Sequence, residues 1–404
     1  METLISILQY ILNGIELLVL AYFTMSGLYI LVFALGGYFY KKRQNVTNQK
    51  YSKIAVFIPA YKEDAVIVDV AKTALKQEYP SKYFDVIVIA DSLKKQTLQK
   101  LERLSIKVVE VAFESSTKAK ALNTAMARLD DNYDHALILD ADNIMEDEFL
   151  NKINNAFQNG YQVVQGHRKA KNLNTSFAIL DAASEEINNH IFRKGHRALG
   201  LSSGLIGSGM AFEYSLFKTM MKSIKAVGGF DKELEFELAK KKISIEYLQD
   251  AIVLDEKIQK SSDFSTQRKR WLATQFIYLR RYFAIGCKQF LFNQNMNLFD
   301  KVWQMVIPPR LLLLGLVFMF ALLYSILEYG FGYTSVVAVD FWLANLIVVI
   351  GTFFLSLPGS FYNLKTLKAM LSIPSAFLRM LLLLFKLKGA NKKFIHTSHG
   401  VIKN

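Results

Sequence analysis

Residues Leu17 to Phe39 run for 23 positions without a charged side chain, and no other feature limits so tightly what this chain can fold into. As a helix rising about 1.5 Å per residue, the run crosses a hydrocarbon core of roughly 30 Å. The beginning, METLISILQY, has neither the basic start nor the small-residue cleavage site of a secretory signal. Residues 1–40 are therefore expected to form a retained transmembrane segment, with 1–16 as an amphipathic lead-in or as half of a hairpin. Directly after it come Lys41, Lys42, Arg43, Lys50 and Lys53, with no acid among them. Cytoplasmic flanks are rich in Lys and Arg, so the domain that follows is expected in the cytoplasm and the N-terminus outside.

The rest of the chain repeats the theme. Two further stretches, 306–327 and 335–357, are apolar enough to span, and the loop between them holds Glu328 but no Lys or Arg, which suits an exterior turn. The last apolar piece, LSIPSAFLRMLLLLFKLKG, contains Pro374 and Arg379 and is flanked by lysines, so it reads as lying in the interface rather than spanning. Residues 266–300 are read as interfacial amphipathic helices, and 301–404 as C-terminal spans, interfacial helix and cytoplasmic tail. Overall the chain is 52% hydrophobic, yet 49 Lys and Arg face 35 Asp and Glu. That combination points to a basic membrane face rather than to a nucleic-acid partner. The single Cys287 excludes an intrachain disulfide and a cysteine zinc cluster. A transporter is poorly supported, because the spans carry no paired charges, only Asp340 near one end.

Between these parts, 41–265 has the texture of a soluble α/β domain. IAVFI (54–58), DVIVIA (85–90), IKVVEVA (106–112) and HALILD (135–140) predict buried parallel strands, and 63–77, 94–104 and 118–129 carry helical spacing. Right-handed crossovers align the carboxyl ends of such strands, where open sheets bind ligands.

Those ends carry the chemistry. Asp140 and Asp142 follow HALIL with one small residue between, and alternation points both to one side. Carboxylate oxygens suit a hard Mg²⁺ or Mn²⁺ that keeps waters and substrate phosphates as its other ligands. The plainer reading is a helix cap for MEDEFLNKI. Asp91 ends DVIVIA in the same way, with capping of the helix near Lys94 as its plainer reading. Lys118-Ala119-Lys120 opens a helix whose amines and free N–H groups suit a phosphate, or simply water. Gly207 and Gly209 allow close backbone approach to a ligand, or a tight turn. QRKRW, residues 267–271, read alone, is a cationic and aromatic membrane anchor.

Taken in order, these pieces resemble the membrane-integrated family 2 glycosyltransferases, the group of cellulose, hyaluronan and poly-N-acetylglucosamine synthases. IPAYKED, IADS with Thr97, KAKALN, LDAD, VVQG (163–166), GSGMAF (207–212), VGGFD (227–231) and finally Q-x-x-R-W follow the family's sequence across most of 50–275. The resemblance implies an α/β fold of the GT-A kind and an inverting transfer from a UDP-sugar to a glycan or lipid acceptor. It implies Asp91 at the nucleotide base, Asp140 at the ribose and diphosphate, and Asp142, with Asp140, at the metal. It also implies Lys120, Gln267 and Arg270 at the donor and Trp271 as the floor for the acceptor sugar, leaving Arg268 and Lys269 as the surface anchor. A plasma membrane of bacterial type, β-linked polysaccharide or glycolipid as product, and polysaccharide-export subunits as partners complete the expectation. FIHTSHG, with His396 and His399, is a candidate gating tail.

Two departures stand out. Lys62 takes the place of the family's usual Asn in IPAYKED, either altering the nucleotide pocket or projecting into solvent. After GGFD the chain reads KELEFELAKKK, where the family carries an E-D pair. Aligning FEL on the usual D-x-E-L puts Glu235 at the general base, with Glu233 as the alternative. Glu233 and Glu237 share one helix face and Glu235 lies opposite beside Leu238. The competing reading of the whole chain is a non-catalytic nucleotide-sugar-binding scaffold on the same fold.

Overall fold

The computed structural model describes residues 2–42, 50–224, 226, 228–259, 261–333 and 335–387; the FIHTSHG tail lies outside them. The chain opens with one helix of 36 residues, α1 (Glu2–Gly37). Residues 2–16 are therefore neither a separate lead-in nor a hairpin arm but the first turns of the same helix. Glu16, whose charge would otherwise break the apolar run, is buried with its carboxylate accepting from Ser335 Oγ.

An eight-stranded sheet follows, ordered β3-β2-β1-β4-β7-β6-β8-β5. Its strands are β1 (Ile54–Tyr61), β2 (Phe84–Asp91), β3 (Lys107–Val111), β4 (His135–Ile138), β5 (Ile144–Met145), β6 (Val163–Ala170), β7 (Met210–Glu213) and β8 (Glu246–Asp255). The four strands expected from their β-branched runs are present and mutually parallel. β7 runs antiparallel to both β4 and β6. Helices α2 (Ile67–Ala74), α3 (Lys95–Glu102), α4 (Lys118–Arg128), α5 (Phe149–Gln158), α6 (Ser176–Asn188), the short α7 (His196–Ala198), α8 (Tyr214–Met221) and α9 (Phe230–Lys240) connect them.

Period-two alternation sorts the strand side chains onto two faces. Ile54, Val56, Ile58 and Val88 pack with Ile67, Leu150 and Ile153 of α2 and α5. Ala55, Phe57, Ile87 and Ile89 pack with α4, α8 and α9 through Leu122, Phe217 and Leu234. Burial on both faces explains why these strands read as near-continuous apolar runs rather than as alternating ones. Because β2 and β4 flank β1 on opposite sides, the carboxyl ends of all three open at a topological switch point, the usual ligand crevice of such sheets.

Beyond the sheet lie α10 (Ser261–Asn293), α11 (Met296–Val306), α12 (Arg310–Ser325), α13 (Val339–Leu355), α14 (Leu364–Met370) and α15 (Ile373–Leu384). Among the described residues two helices are long and apolar enough to cross a membrane, Ser6–Gly37 and Arg310–Gly330; α13 is apolar but shorter, and α14 and α15 meet at 41°. α1, α12 and α13 share a core of Leu20, Phe23, Ile30, Val317, Trp342 and Val349. This bundle is joined to the α/β domain through a π-helical turn, Asn189–Gly195. A Cβ on Gly195 would lie 2.0 Å from the Phe33 carbonyl oxygen of α1, so only glycine permits the contact.

Candidate active site

Asp91 closes β2 and is 2% exposed. Its carboxylate accepts from Ser92 Oγ at 3.0 Å. It does not cap α3, because Asp64 Oδ1 has taken that role, accepting from Lys94 N at 2.8 Å and from Thr97 Oγ1 at 2.6 Å. Lys62 N donates to the Asp91 carbonyl at 3.0 Å, pinning the two strand ends together. Lys62 itself has φ 58° and an exposed side chain, its amine 5.1 Å above the Tyr61 ring. Of its two expected fates, projection into solvent is the one observed.

Asp140 and Asp142 lie just past β4. Asp140 stays partly exposed and pairs with the Lys118 ammonium, which also donates to the Gly207 carbonyl at 2.7 Å. Arg168 Nη1 lies 4.0 Å from the other oxygen of Asp140. Asp142 is buried and accepts from Glu256 N at 3.1 Å and from Asn143 Nδ2 at 3.2 Å. The helix-cap reading of this pair fails, since Ile144–Met145 is strand β5 and α5 begins only at Phe149 with Glu148 as its N-cap. Lys120 turns away, donating to the Ser115 carbonyl at 2.8 Å. Its partner in the KAK triplet, Lys118, is the amine that reaches the D-x-D. The two differ because residues two apart on a helix point to different sides.

The loop 203–209 forms the wall facing Asp140. Gln165 of VVQG orders it, accepting from Ile206 N at 3.1 Å and donating to Ser208 O at 2.9 Å. Gly207 and Gly209 adopt φ 81° and 61°, which L side chains avoid. A Cβ on Gly207 would stand 3.6 Å from Asp231 Cγ, so this turn packs directly on the first turn of α9.

On α9 the carboxylates divide by face. Glu233 is buried and held by Arg281 Nη1 at 2.7 Å, while Glu237 accepts from Tyr282 OH at 2.9 Å. Both turn toward α10, so the helix face that the two share is packed against it. Glu235 lies opposite, on the loop side, and is 2% exposed. Lys232 Nζ lies 2.8 Å from Oε2, Lys301 Nζ lies 3.0 Å from Oε1, and Leu205 N donates to Oε2 at 3.0 Å. Burial pushes the Glu235 pKa up, but the two ammoniums more than reverse this and bring it down to about 2. Lys301 comes from α11 and fills its remaining bonds with the Ser202 and Ser203 carbonyls at 2.8 and 3.0 Å. No motif marked Lys301, because it stands about 65 residues away in a stretch that reads as membrane interface.

QRKRW occupies the second and third turns of α10. Arg270 is partly buried; burial lowers its pKa, while Asp231 and Asp140 oppose that, so its guanidinium lies in the field of both carboxylates. Gln267 holds a buried side-chain oxygen without a hydrogen-bond partner. Trp271 is 42% exposed, with the Arg268 guanidinium 4.3 Å above its ring. Arg268 is no surface anchor. It is 7% exposed and pairs with Asp181 of α6 at 2.5 Å, bracing Trp271 from behind.

Among the described residues no group of three His, Cys, Asp or Glu could by itself hold a metal. The donor set nevertheless fits a hard divalent cation: two carboxylates one residue apart, Asp140 partly exposed at the crevice and Asp142 buried behind it, offer the oxygen ligands such an ion prefers. Asp140 and Asp142 would hold the ion, with waters and phosphate oxygens as the remaining ligands.

A mixed sheet with strand-end aspartates at its switch point and a Q-x-x-R-W helix closing over them defines a glycosyltransferase of the GT-A fold. Residues 52–274 match glycosyltransferase-like family 2, and the chain belongs to that family. It is similar to the poly(ribitol-phosphate) beta-N-acetylglucosaminyltransferase TarS of Staphylococcus aureus, 28% identical over 102 residues, which is 24% of this chain and 18% of TarS. The chain thus spans under a fifth of the curated relatives' length. Among solved structures, the mannosyltransferase PcManGT from Pyrobaculum calidifontis, in complex with GDP-Man and Mn²⁺, shares the fold. Its TM-score is 0.51 at 14% identity, covering 84% of this chain and 97% of PcManGT. The crystal structure of S. aureus TarS gives a TM-score of 0.38 at 16% identity, covering 84% of this chain and 55% of that one.

Proposed function

We propose that this chain is an inverting transferase that moves a sugar from a UDP-activated donor to a glycan or lipid acceptor at the cytoplasmic face of a membrane. The observation that carries the reading is that Asp91 and the Asp140–Asp142 pair stand at the carboxyl ends of the strands flanking β1, with Lys118 paired to Asp140 and Arg270 in the field of Asp140. In this reading Asp91 receives the nucleotide base, and Asp140 and Asp142 serve the ribose, diphosphate and metal. Gln267 and Arg270 engage the diphosphate, and Trp271, braced by Arg268, is the platform on which the acceptor sugar stacks. A bound Mg²⁺ or Mn²⁺ would offset the charge that develops on the departing diphosphate. Lys118 and Arg270 add fixed positive charge in a partly desolvated crevice, where it acts more strongly than in water. A carboxylate on α9 takes the proton of the attacking hydroxyl from the face opposite the leaving group, so one displacement inverts the anomeric centre.

Similarity to TarS, a beta-N-acetylglucosaminyltransferase, favours N-acetylglucosamine as the first sugar to try, with a β-linked product. The basic flank Lys41 and Lys42 after α1, together with the length of α1 and of Arg310–Gly330, supports a membrane location with the catalytic domain in the cytoplasm. The test is a panel of labelled nucleotide sugars offered to the full chain in lipid nanodiscs with Mg²⁺, with Mn²⁺ and with chelator. Metal-dependent consumption of a UDP-sugar with appearance of a glycosylated product is the expected result. Tight nucleotide binding without turnover of any donor would sink it and leave a binding scaffold.

A further inference from the structure

We propose that Asp231, at the first turn of α9, is the proton acceptor of the reaction, and that Glu235 is a positioning residue locked in place by Lys232 and by Lys301 of α11. This inference rests on the transferase reading above and deepens it. A general base needs lone pairs that a substrate hydroxyl can reach and an affinity for a proton suited to its task. Glu235 offers neither. It is 2% exposed, and its two oxygens already accept from two ammoniums and one backbone N–H. Any substrate oxygen would have to displace the buried Lys301 or the partly buried Lys232 to approach it.

Asp231 lies four residues earlier on the same helix face, one turn nearer the donor crevice. The loop between the two carboxylates gives the direction. Gly204 and Leu205 contact Glu235, Gly207 contacts Asp231, and the Gly207 carbonyl accepts from Lys118, which pairs with Asp140. Going along this loop from Glu235 to Asp231 is therefore going toward the D-x-D. Asp231 is only half-buried. The charged and titratable groups around it are Lys232 and Glu235 on α9, Lys118 on α4, and Arg270 and Tyr278 on α10. Burial raises its pKa, Glu235 adds to the rise, and Lys232 and Lys118 oppose it. The two carboxylates are thus pushed apart, one kept as a permanent anion and the other fitted to accept a proton, a pattern that separates roles in paired-carboxylate sites.

In the step itself, the acceptor O–H bond breaks and its proton passes to an Asp231 carboxylate oxygen. The oxygen's electron pair forms the new bond to the anomeric carbon, and the bond from that carbon to the diphosphate oxygen breaks with its electrons leaving on the diphosphate. Charge and atoms balance without a further reactant.

The experiment compares wild type, D231N, E235Q and the double variant as full chains in nanodiscs. Donor binding is read by nucleotide-sugar titration, turnover by labelled product, and the acid limb of kcat/KM by pH profile. The expected result for D231N is a loss of at least a hundredfold in kcat with donor Kd within threefold of wild type. For E235Q it is a smaller loss in kcat together with a downward shift of the acid limb, because removing the Glu235 charge makes Asp231 easier to ionise. A purely structural Glu235 would leave that limb where it is. D231N keeping more than a tenth of wild-type kcat, or losing donor binding along with turnover, overturns the assignment. So does E235Q abolishing turnover with donor binding intact while D231N remains active. A wild type that consumes no donor overturns the transferase reading, a failure distinct from that of D231N.

Discussion

Two buried ion clusters stand on either side of the crevice, and they are built differently. Behind the D-x-D, Arg168 Nη2 pairs with Glu185 at 2.8 Å, Lys257 pairs with Asp255 at 2.8 Å and with Glu185 at 3.4 Å, and Arg193 lies 3.6 Å from Glu185. Every member belongs to the sheet, to α6 with its π-helical turn, or to the segment directly after β8. Across the crevice, Glu235 depends on Lys301, which arrives on α11 after the 33-residue α10 has turned back. The difference teaches that the carboxylates behind the D-x-D find their cations nearby in the α/β domain, while Glu235 is fully paired only when α11 is docked. α11 is also tied to α1, since Asp300 accepts from Tyr29 OH at 2.6 Å and sits 3.3 Å from His196 Nε2.

The largest effect is expected from Arg168→Met. It strips the guanidinium that faces Glu185 and lies 3.7 Å from Asp255 and 4.0 Å from Asp140, leaving buried carboxylates with fewer cations. Removing one partner of a buried ionic network commonly costs about 3–5 kcal/mol. The expected outcome is a large fall in unfolding midpoint in detergent together with loss of donor binding. A variant as stable as wild type would show that Lys257 and Arg193 hold the cluster without it, and would weaken the contrast between the halves.

Lys301→Met probes the other half and is expected to cost less, about 2–4 kcal/mol, because Lys232 and Leu205 N stay on Glu235. Its signature is pH. Glu235 has a folded-state pKa of about 2, below the roughly 4.3 of an unfolded Glu. Its contribution is therefore fully present above about pH 4.3 and is lost as pH falls toward 2. Two units amount to about 3 kcal/mol in wild type. In K301M the folded pKa rises toward the unfolded one, so stability profiles of wild type and variant should converge as pH drops through this window. Parallel profiles would mean that Lys301 acts by packing alone.

The donor half was the legible one, and the reason is physical. Asp91, Asp140 and Asp142 sit at strand ends, and buried parallel strands announce themselves as continuous apolar runs, so the position of each carboxylate follows from local pattern. The α9 half depends on helix phase and on partners distant in sequence. Lys118 against Lys120 is a choice of helix face that a triplet of residues does not fix. Arg268 reads as an anchor until Asp181 is seen beside it, 87 residues away. Lys301 has no local signal at all. The same holds for α1, where Glu16 suggests a break that its burial against Ser335 removes.

The smallest effect is expected at Lys62, and it sharpens what the donor half requires. Lys62 holds φ 58° at the turn that donates to the Asp91 carbonyl, a conformation that costs most L residues about 1–2 kcal/mol and that Asn tolerates better. Since its side chain is exposed, Lys62→Asn changes backbone strain and leaves Asp91 untouched. The variant should gain about 0.5–1 kcal/mol, raising the unfolding midpoint by about 1–3 °C, with donor Kd within twofold of wild type. A gain in donor affinity of tenfold without a gain in stability would instead make the Lys62 amine part of the nucleotide pocket, and the departure from the family's Asn a functional one.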